Sequence, residues 1–524
     1  MVKVAVPIDP PADPEPKGDG LLRELNLFGA VSMIVGIVIG SGIFLSVNRV
    51  AQGTGSPGMI VALWVIAGLM TLMGALTYAE LGTIFPKAGG EYVFLKEGMG
   101  SLAAFMSGWV AFTINLAGSA AALAIVFANQ LFVIADNPGG TTLFDIPGDF
   151  FPPFTTARLF AICLLGVLSL VHYYGVKYGG GVQMVFTVAK GLVILGLTIA
   201  ALSYTGDALT NGVSFFGEAD VTIGTGDEAQ RVFGFDASLF FGTAMVGALF
   251  AYDGWTNVVR VGSELKNPGK NIPKAMLMGL VGVMVLYIAI TFGYLNVLGF
   301  QGLADAEAAG INDSARTVAT NVANTIFGGE GEKIVAGMIL VSVFGALNGI
   351  TLSGPRIYYA MARDRIFPRI FERLTRHKTP GWAILFQALL GGVFLLFFDF
   401  EALTDNVVFI SFFFYGLSAL GLLVLRRTHP NLHRPYKVWG YPFVPIAYVL
   451  VAFSFVGYLL YDQIANFSGD NFNRLFSLVV VFGGLPIFFW YRNKAAAAAK
   501  AEGKLPPPPL FGPDPHAEAR QEEG

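Results

Sequence analysis

Apolar residues arrive in runs of about 20, long enough to cross a bilayer as helices, and short polar stretches separate them. About twelve such runs are marked by hydropathy, near 26–48, 57–85, 99–130, 156–174, 181–204, 236–259, 276–299, 333–362, 382–398, 403–425, 442–461 and 475–491. Two of them are interrupted. The first contains Val38-Ile39-Gly40-Ser41-Gly42-Ile43-Phe44, two glycines flanking a serine at mid-depth. The sixth contains Phe250-Ala251-Tyr252-Asp253-Gly254-Trp255-Thr256-Asn257, where an acid and a glycine break the apolar run.

Glycine in a helix interior costs about 0.8–1 kcal/mol relative to alanine, so a spanning helix with two of them invites unwinding. Taken alone, the first stretch reads better as close helix packing through small residues. The matching break five helices later favours the other reading. If the first ten spans form two inverted repeats of five, the two breaks occupy corresponding positions, the best sequence pointer to a transporter's binding site.

The polar loops alternate in charge. Loops after even-numbered runs carry Lys87 and Lys96, then Lys177, then Lys266, Lys270 and Lys274, then Arg363 to Lys378, then Arg426, Arg427, Arg434 and Lys437. Those after odd-numbered runs are acidic or neutral: Asp136, Asp145 and Asp149; Asp207, Glu218, Asp220, Asp227 and Glu228; Asp305, Glu307 and Asp313. The positive-inside rule then puts both termini in the cytoplasm with an even number of spans.

Composition agrees. Of 524 residues 54% are hydrophobic and 13% charged, against about 25% charged in an average chain. The reading is an all-α polytopic membrane protein. Its net charge of -3 says little about partners, and nothing points to nucleic acid. Cys163 is the one cysteine, so an intrachain disulfide is excluded. Residues 1–22 and 493–524 read as disordered cytoplasmic tails, 23–428 as a ten-helix core and 429–492 as two accessory helices.

Unwinding at the first break frees the amides of Ser41, Gly42 and Ile43, where a helix start also favours an anion. At the second break the carbonyls of Phe250, Ala251 and Asp253 are left to accept from an ammonium. Together they read an α-amino acid. Phe250 is placed to close over the substrate as a gate, and Trp255 reads as packing. Lys190 lies about ten residues inside the fifth run, where a charge costs roughly 2.5–3.5 kcal/mol to insert and marks function by default. It either replaces a bound cation by donating to carbonyls of spans one and eight, or carries a proton. Asp253 serves the substrate amine, a cationic side chain or the broken backbone. Asn115 and Ser119 share one face of span three and are expected to line the pocket. Glu80 reads as structural; Ser342 and Asn348 are lesser site candidates. His429 and His433 are four apart with Pro430 between them and no further ligands, so a metal site is not expected. No phosphate loop, zinc-protease motif or nucleophile elbow is present, so neither a cofactor nor enzymatic activity is expected.

Several motifs occur in a fixed order over roughly residues 25–460: I-V-I-G-S-G-I-F, G-S-P-G, Y-A-E-L-G-T-I-F-P-K-A-G-G-E-Y, F-T-V-A-K, F-A-Y-D-G-W-T-N followed by S-E-L-K-N-P-G-K-N-I-P, A-L-N-G-I and R-P-Y-K-V-W-G-Y-P. This set resembles the amino acid–polyamine–organocation superfamily and, within it, the L-type amino acid transporter family. The resemblance implies a leucine-transporter-like 5+5 inverted-repeat fold with helices 1 and 6 broken. It assigns Ser41 and Gly42, with Gly40 beside them, to the substrate carboxylate and Val38, Phe250 and Asp253 to the amine. Lys190 matches the lysine that stands where sodium-coupled relatives bind an ion, which implies sodium-independent exchange. Mammalian members join a heavy chain through a cysteine in the loop after span three; residues 131–155 contain none, so a stand-alone, bacterial-type member without a disulfide-linked partner is implied. Exchange of α-amino acids across the plasma membrane is the expected function. A proton-coupled symporter is the alternative, and a channel or nutrient-sensing receptor on the same scaffold is a more distant one.

Overall fold

The computed structural model describes residues 21, 23–144, 153–205, 215, 217, 220–223, 230–233, 239–304, 317–398, 400–465, 473–502 and 509–512. Apart from Leu21, the expected N-terminal tail lies outside these residues, as do most of the acidic loop residues named above. Among the described residues, eight helices are long and apolar enough to cross a membrane, and three shorter apolar helices accompany them.

The first span is divided into α1 (Leu27–Val38), α2 (Gly42–Leu45) and α3 (Val47–Gln52). It is followed by α4 (Pro57–Ile84), the short α5 (Glu91–Met99), and α6 (Ser101–Val110) and α7 (Leu116–Ile134), joined by a wider π turn at Ala111–Asn115. Then come α8 (Thr156–Tyr173) and α9 (Val176–Leu202). The sixth span consists of a π turn at Phe240–Ala244, α10 (Met245–Tyr252) and α11 (Asn257–Arg260). The remainder is α12 (Pro268–Ala304), α13 (Val318–Phe327), α14 (Gly331–Ser353), α15 (Pro355–Arg363), α16 (Gly381–Phe397), α17 (Phe400–Thr428), α18 (Phe443–Ala465) and α19 (Asn473–Glu502). All twelve expected runs coincide with helices. The loops after the third and fifth spans add two small antiparallel pairs that the apolar pattern does not mark, Thr142–Phe144 with Phe154–Thr155 and Asp220–Ile223 with Gln230–Phe233.

The motifs have local reasons. In G-S-P-G, the Ser56 side chain accepts from the Met59 amide at 3.3 Å and Pro57 opens α4, a capped start with its missing donor where none is needed. Glu80, mid-motif in Y-A-E-L, accepts from both Arg426 Nε (2.8 Å) and Nη2 (2.5 Å) and from the Val438 amide (2.7 Å), so it ties α4 to the end of α17 and the R-P-Y-K-V segment. Glu264 of S-E-L-K meets Arg356 at 2.7 Å, both fully buried. Such pairs cost several kcal/mol per ion to desolvate and persist only when the geometry offsets that; here each carboxylate takes two bonds from one guanidinium.

Residues 493–502, expected in the C-terminal tail, continue α19, and 509–512 return to the bundle. The Pro509 carbonyl accepts from the Ser101 amide (2.8 Å), the Leu510 carbonyl from the Leu102 amide (3.3 Å), and the Gly512 amide donates to the Met99 carbonyl (3.0 Å). These are orphan groups at the break between α5 and α6, so the returning segment caps both helix ends.

Candidate functional site

Half-helix α1 is packed against α9, α12 and α14, and its last turn is where the backbone leaves the helical path. The Gly40 amide bonds the Val38 carbonyl (2.8 Å) and the Phe44 amide bonds the Ser41 carbonyl (3.1 Å), so the helical i→i−4 acceptors Gly36 and Gly40 lose their backbone donors. The displaced oxygens are all collected by side chains. Lys190 Nζ, completely buried on α9, donates to the carbonyls of Gly36 (2.7 Å), Ile39 (2.7 Å) and Ser342 (2.5 Å). The Ser342 hydroxyl on α14 lies 2.9 Å from the Ile39 oxygen and 3.0 Å from that of Gly40. Three acceptors use all three hydrogens of an ammonium. Lys190 and Ser342 thus hold the unwound turn of span one; donation to carbonyls of spans one and eight is one of the two roles the sequence offers for Lys190.

The donors freed by the same turn stay free. The amides of Ser41, Gly42 and Ile43 have no acceptor among the described residues, and the buried Ser41 hydroxyl has no partner either.

The second break follows Tyr252. Asp253 is extended, and Gly254 has φ +108°, a conformation L side chains rarely adopt. The two breaks interlock through their glycines. A Cβ on Gly42 would lie 2.6 Å from Ala251 Cα, and one on Gly254 would lie 2.6 Å from Ile37 Cγ2. Tyr287 on α12 ties them further, its hydroxyl 3.1 Å from the Val38 carbonyl and 2.9 Å from that of Ala251.

Between the breaks lies a cavity with about 630 Å³ of space free of atoms, counting the part open to solvent. Val38, Gly40, Ser41, Gly42, Asn115, Ser119, Phe250 and Asp253, all named from the sequence, line it. Ile43 and Ala251 do not; both are fully buried behind the wall. The carbonyls considered for an ammonium are partly engaged: Val38 by the Gly40 amide and Tyr287, Ala251 by Tyr287, Phe250 by the Asp253 amide at 3.1 Å. Trp255 packs edge-on against Tyr78 and is tilted against Tyr415.

Sequence reasoning missed part of the lining. Tyr415 donates to Asp253 Oδ1 (2.9 Å), and Asn115 donates to Ser411, so α17 supplies partners to both polar walls. Arg260 also lines the cavity. Its guanidinium takes both oxygens of Glu91 (2.6 and 3.2 Å) and donates to Asn257 Oδ1 (2.9 Å). Glu91 reaches it because Gly89 and Gly90 hold φ +110° and +50°. Arg260 lies between the F-A-Y-D-G-W-T-N and S-E-L-K segments and carries no mark of its own; the Gly-Gly-Glu that ends another motif does not name its partner. His172, also missed, is buried against Asn348 (Nε2 to Oδ1, 3.0 Å), away from the cavity lining.

A family model described as amino acid permease matches residues 25–485. The chain belongs to the amino acid permease family. It is 31% identical over 483 residues to the serine/threonine exchanger SteT of Bacillus subtilis, covering 91% of this chain and 99% of that protein. To the human b(0,+)-type amino acid transporter 1 it is 28% identical over 480 residues, covering 91% and 89%. To the human large neutral amino acids transporter small subunit 2 it is 30% identical over 488 residues, covering 90% and 81%. The family is one of multi-pass membrane transporters and not of enzymes.

Proposed function

We propose that this permease is a plasma-membrane secondary transporter that exchanges α-amino acids, independently of sodium, by alternating access, with both termini cytoplasmic. The observation that carries the reading is the pair of interlocked breaks around one cavity. On one side are three unused amides and the unpartnered Ser41 hydroxyl, suited to a carboxylate. Across from them is the Asp253 carboxylate, which accepts from Tyr415 at Oδ1, beside the Phe250 carbonyl, and this side suits the amine. Phe250 borders both and serves as the gate. The names of the relatives, an exchanger and amino acid transporters, support an amino acid as cargo.

Lys190 supports sodium independence. Its ammonium occupies carbonyls of spans one and eight that a cation would otherwise need. A neutral amine has two hydrogens for three acceptors, so the geometry favours a fixed charge over a proton carrier. The breaks five helices apart support the 5+5 repeat with spans eleven and twelve as accessories. The absence of cysteine from residues 131–155 supports operation without a disulfide-linked subunit.

Proteoliposomes loaded with unlabelled neutral amino acid are expected to take up labelled amino acid several-fold faster than empty ones. Equal uptake refutes exchange. Accumulation driven by a pH gradient and lost in Lys190→Ala supports symport instead, and non-saturable flux supports a channel.

A further inference from the structure

The cavity does not stop at the two breaks. Along the second half of span six, Asp253, Gly254, Thr256, Asn257 and Arg260 all line it. This half-span leads into the loop that carries Lys266, Lys270 and Lys274. The cavity therefore extends from the breaks toward the end of the bundle that carries the basic loops (the basic end). Arg260 is the last of these residues along the chain, and only 2% of it is exposed.

An enclosed guanidinium has five hydrogens to place. Nε and Nη2 give one each to Glu91, and Nη1 gives one to Asn257 Oδ1. The other two, one on Nη1 and one on Nη2, have no acceptor among the described residues. A hydrogen on each terminal nitrogen is the arrangement that takes both oxygens of a carboxylate. The side chain is also held in place. Asn257 is fixed by its own Nδ2, which donates to the Gly254 carbonyl at 2.8 Å, and the Ser353 hydroxyl reaches the same Asn257 Oδ1. On the other flank the Gly89 amide bonds the Arg260 carbonyl at 3.1 Å, and a Cβ on Gly90 would lie 3.0 Å from Arg260 Cγ. The loop that supplies Glu91 is thus locked to the residue that Glu91 pairs with. The pair stays together, and the unspent side of the guanidinium is what a guest in the cavity can use.

Resting on the amino acid exchange reading, we propose that Arg260 is a second station for the substrate carboxylate, at the basic end of the cavity. A substrate entering from that end is held by the two unspent hydrogens before it reaches the amides of Ser41 and Gly42. One leaving passes the same contacts in reverse order. Glu91 sets the strength of the station. By neutralising the guanidinium it keeps the bound carboxylate releasable, whereas a buried arginine without its counter-ion would take the carboxylate as a replacement and hold it. The effect belongs to the basic face, because traffic from the opposite face meets the breaks first.

The test compares the two faces. Labelled L-alanine, L-serine and L-leucine are supplied together to right-side-out and inside-out vesicles holding the full-length chain, and the half-saturating concentration for exchange is measured from each side. Glu91→Gln with Arg260→Met replaces the buried pair by neutral groups of similar size, a change that buried pairs commonly tolerate. It is expected to raise the half-saturating concentration about ten-fold from the basic end and under about two-fold from the opposite face. Glu91→Gln alone leaves the guanidinium without its counter-ion and should shift the basic-end value the other way, about three-fold downward. Opposite signs from two variants that break one pair are not produced by a purely structural ion pair, whose loss lowers rates from both faces together. Equal shifts from both faces, the same sign in both variants, or no shift in the double variant overturns the station. Where Glu91→Gln alone does not fold, the one-sided shift of the double variant decides. Thermal stabilisation by the same three amino acids needs no turnover. Absent counterflow in the unmodified protein would therefore refute exchange, while stronger stabilisation of Glu91→Gln and weaker stabilisation of the double variant would still support the station, and the reverse order would overturn it.

Discussion

Gly42→Ala discriminates between a binding turn and a packing motif. The added Cβ would lie 2.6 Å from Ala251 Cα, 2.8 Å from Ala251 Cβ and 3.3 Å from the Ala251 amide nitrogen. Carbon atoms rest at about 3.5–4.0 Å, so the two broken segments must separate by roughly 1 Å. No flexible side chain can absorb this, because the obstacle is backbone. The amides of Ser41, Gly42 and Ile43 move with it. A hydrogen bond from such an amide to a carboxylate contributes about 1.5–3 kcal/mol, so losing one lowers affinity roughly 10- to 150-fold.

Ligand-induced thermal stabilisation measures the change. At a ligand concentration 100 times Kd, the folded protein gains about 2.7 kcal/mol; a 100-fold weaker site at the same concentration retains about 0.4 kcal/mol. Gly40→Ala is the control. Its Cβ would meet the Ile37 carbonyl at 3.5 Å and Ala346 Cβ at 3.6 Å, ordinary contacts that require no displacement. Gly42→Ala is expected to fold with a lowered unliganded melting temperature, overpacking costing about 1–3 kcal/mol, and in addition to lose most of the ligand shift, while Gly40→Ala keeps both. Wild-type affinity in Gly42→Ala, or equal loss in both alanines, would refute the reasoning and return the stretch to helix packing.

Ser41→Ala removes a buried hydroxyl that has no partner, a group whose burial costs about 1–3 kcal/mol, so the unliganded protein should melt at an equal or higher temperature while the ligand shift shrinks. Truncation after Glu502 uncovers the amides of Ser101 and Leu102 and should lower the melting temperature; Gly100→Ala should do the same in the full chain, since Gly100 has φ +100° and its Cβ would lie 2.7 Å from the Leu510 carbonyl. At the basic end, burial pushes the Asp364 carboxyl up, but Lys96 at 2.7 Å and the Tyr92 hydroxyl at 2.6 Å outweigh it and hold it below the usual 3.8. Its contribution is therefore present above pH 3.8 and lost as pH falls through the folded value. Asp364→Asn should cost about 1 kcal/mol at neutral pH and remove that part of the acid sensitivity, measured by thermal unfolding against pH.

The spans were legible because a bilayer demands apolar runs of fixed length, and a run interrupted by Gly-Ser-Gly or Asp-Gly contradicts its own surroundings. Lys190 was legible for the same reason: a charge ten residues inside such a run needs acceptors, and the unwound turn has them. Tyr287 was not. A tyrosine in an apolar helix carries no mark of which carbonyls its hydroxyl will reach, and its role exists only once both breaks are side by side. Arg260 was illegible for a related reason, since its carboxylate, Glu91, comes from a distant loop shaped by Gly89 and Gly90.

The glycines show most clearly where sequence reading stops. Composition alone makes Gly40 and Gly42 equivalent, small residues two positions apart in one turn. In the fold they differ in kind. Gly40 has room for a methyl group, and its carbonyl is held by Ser342. Gly42 has none, because its Cα lies against the backbone of the other broken helix, while Gly254 makes the reciprocal contact on Ile37. Each break is therefore the other's wall. A displacement of either half-helix must move the backbone that faces the cavity, which links the cavity wall to helix position without any additional element. That link depends on two glycines in separate spans, and a single changed atom at Gly42 is enough to probe it.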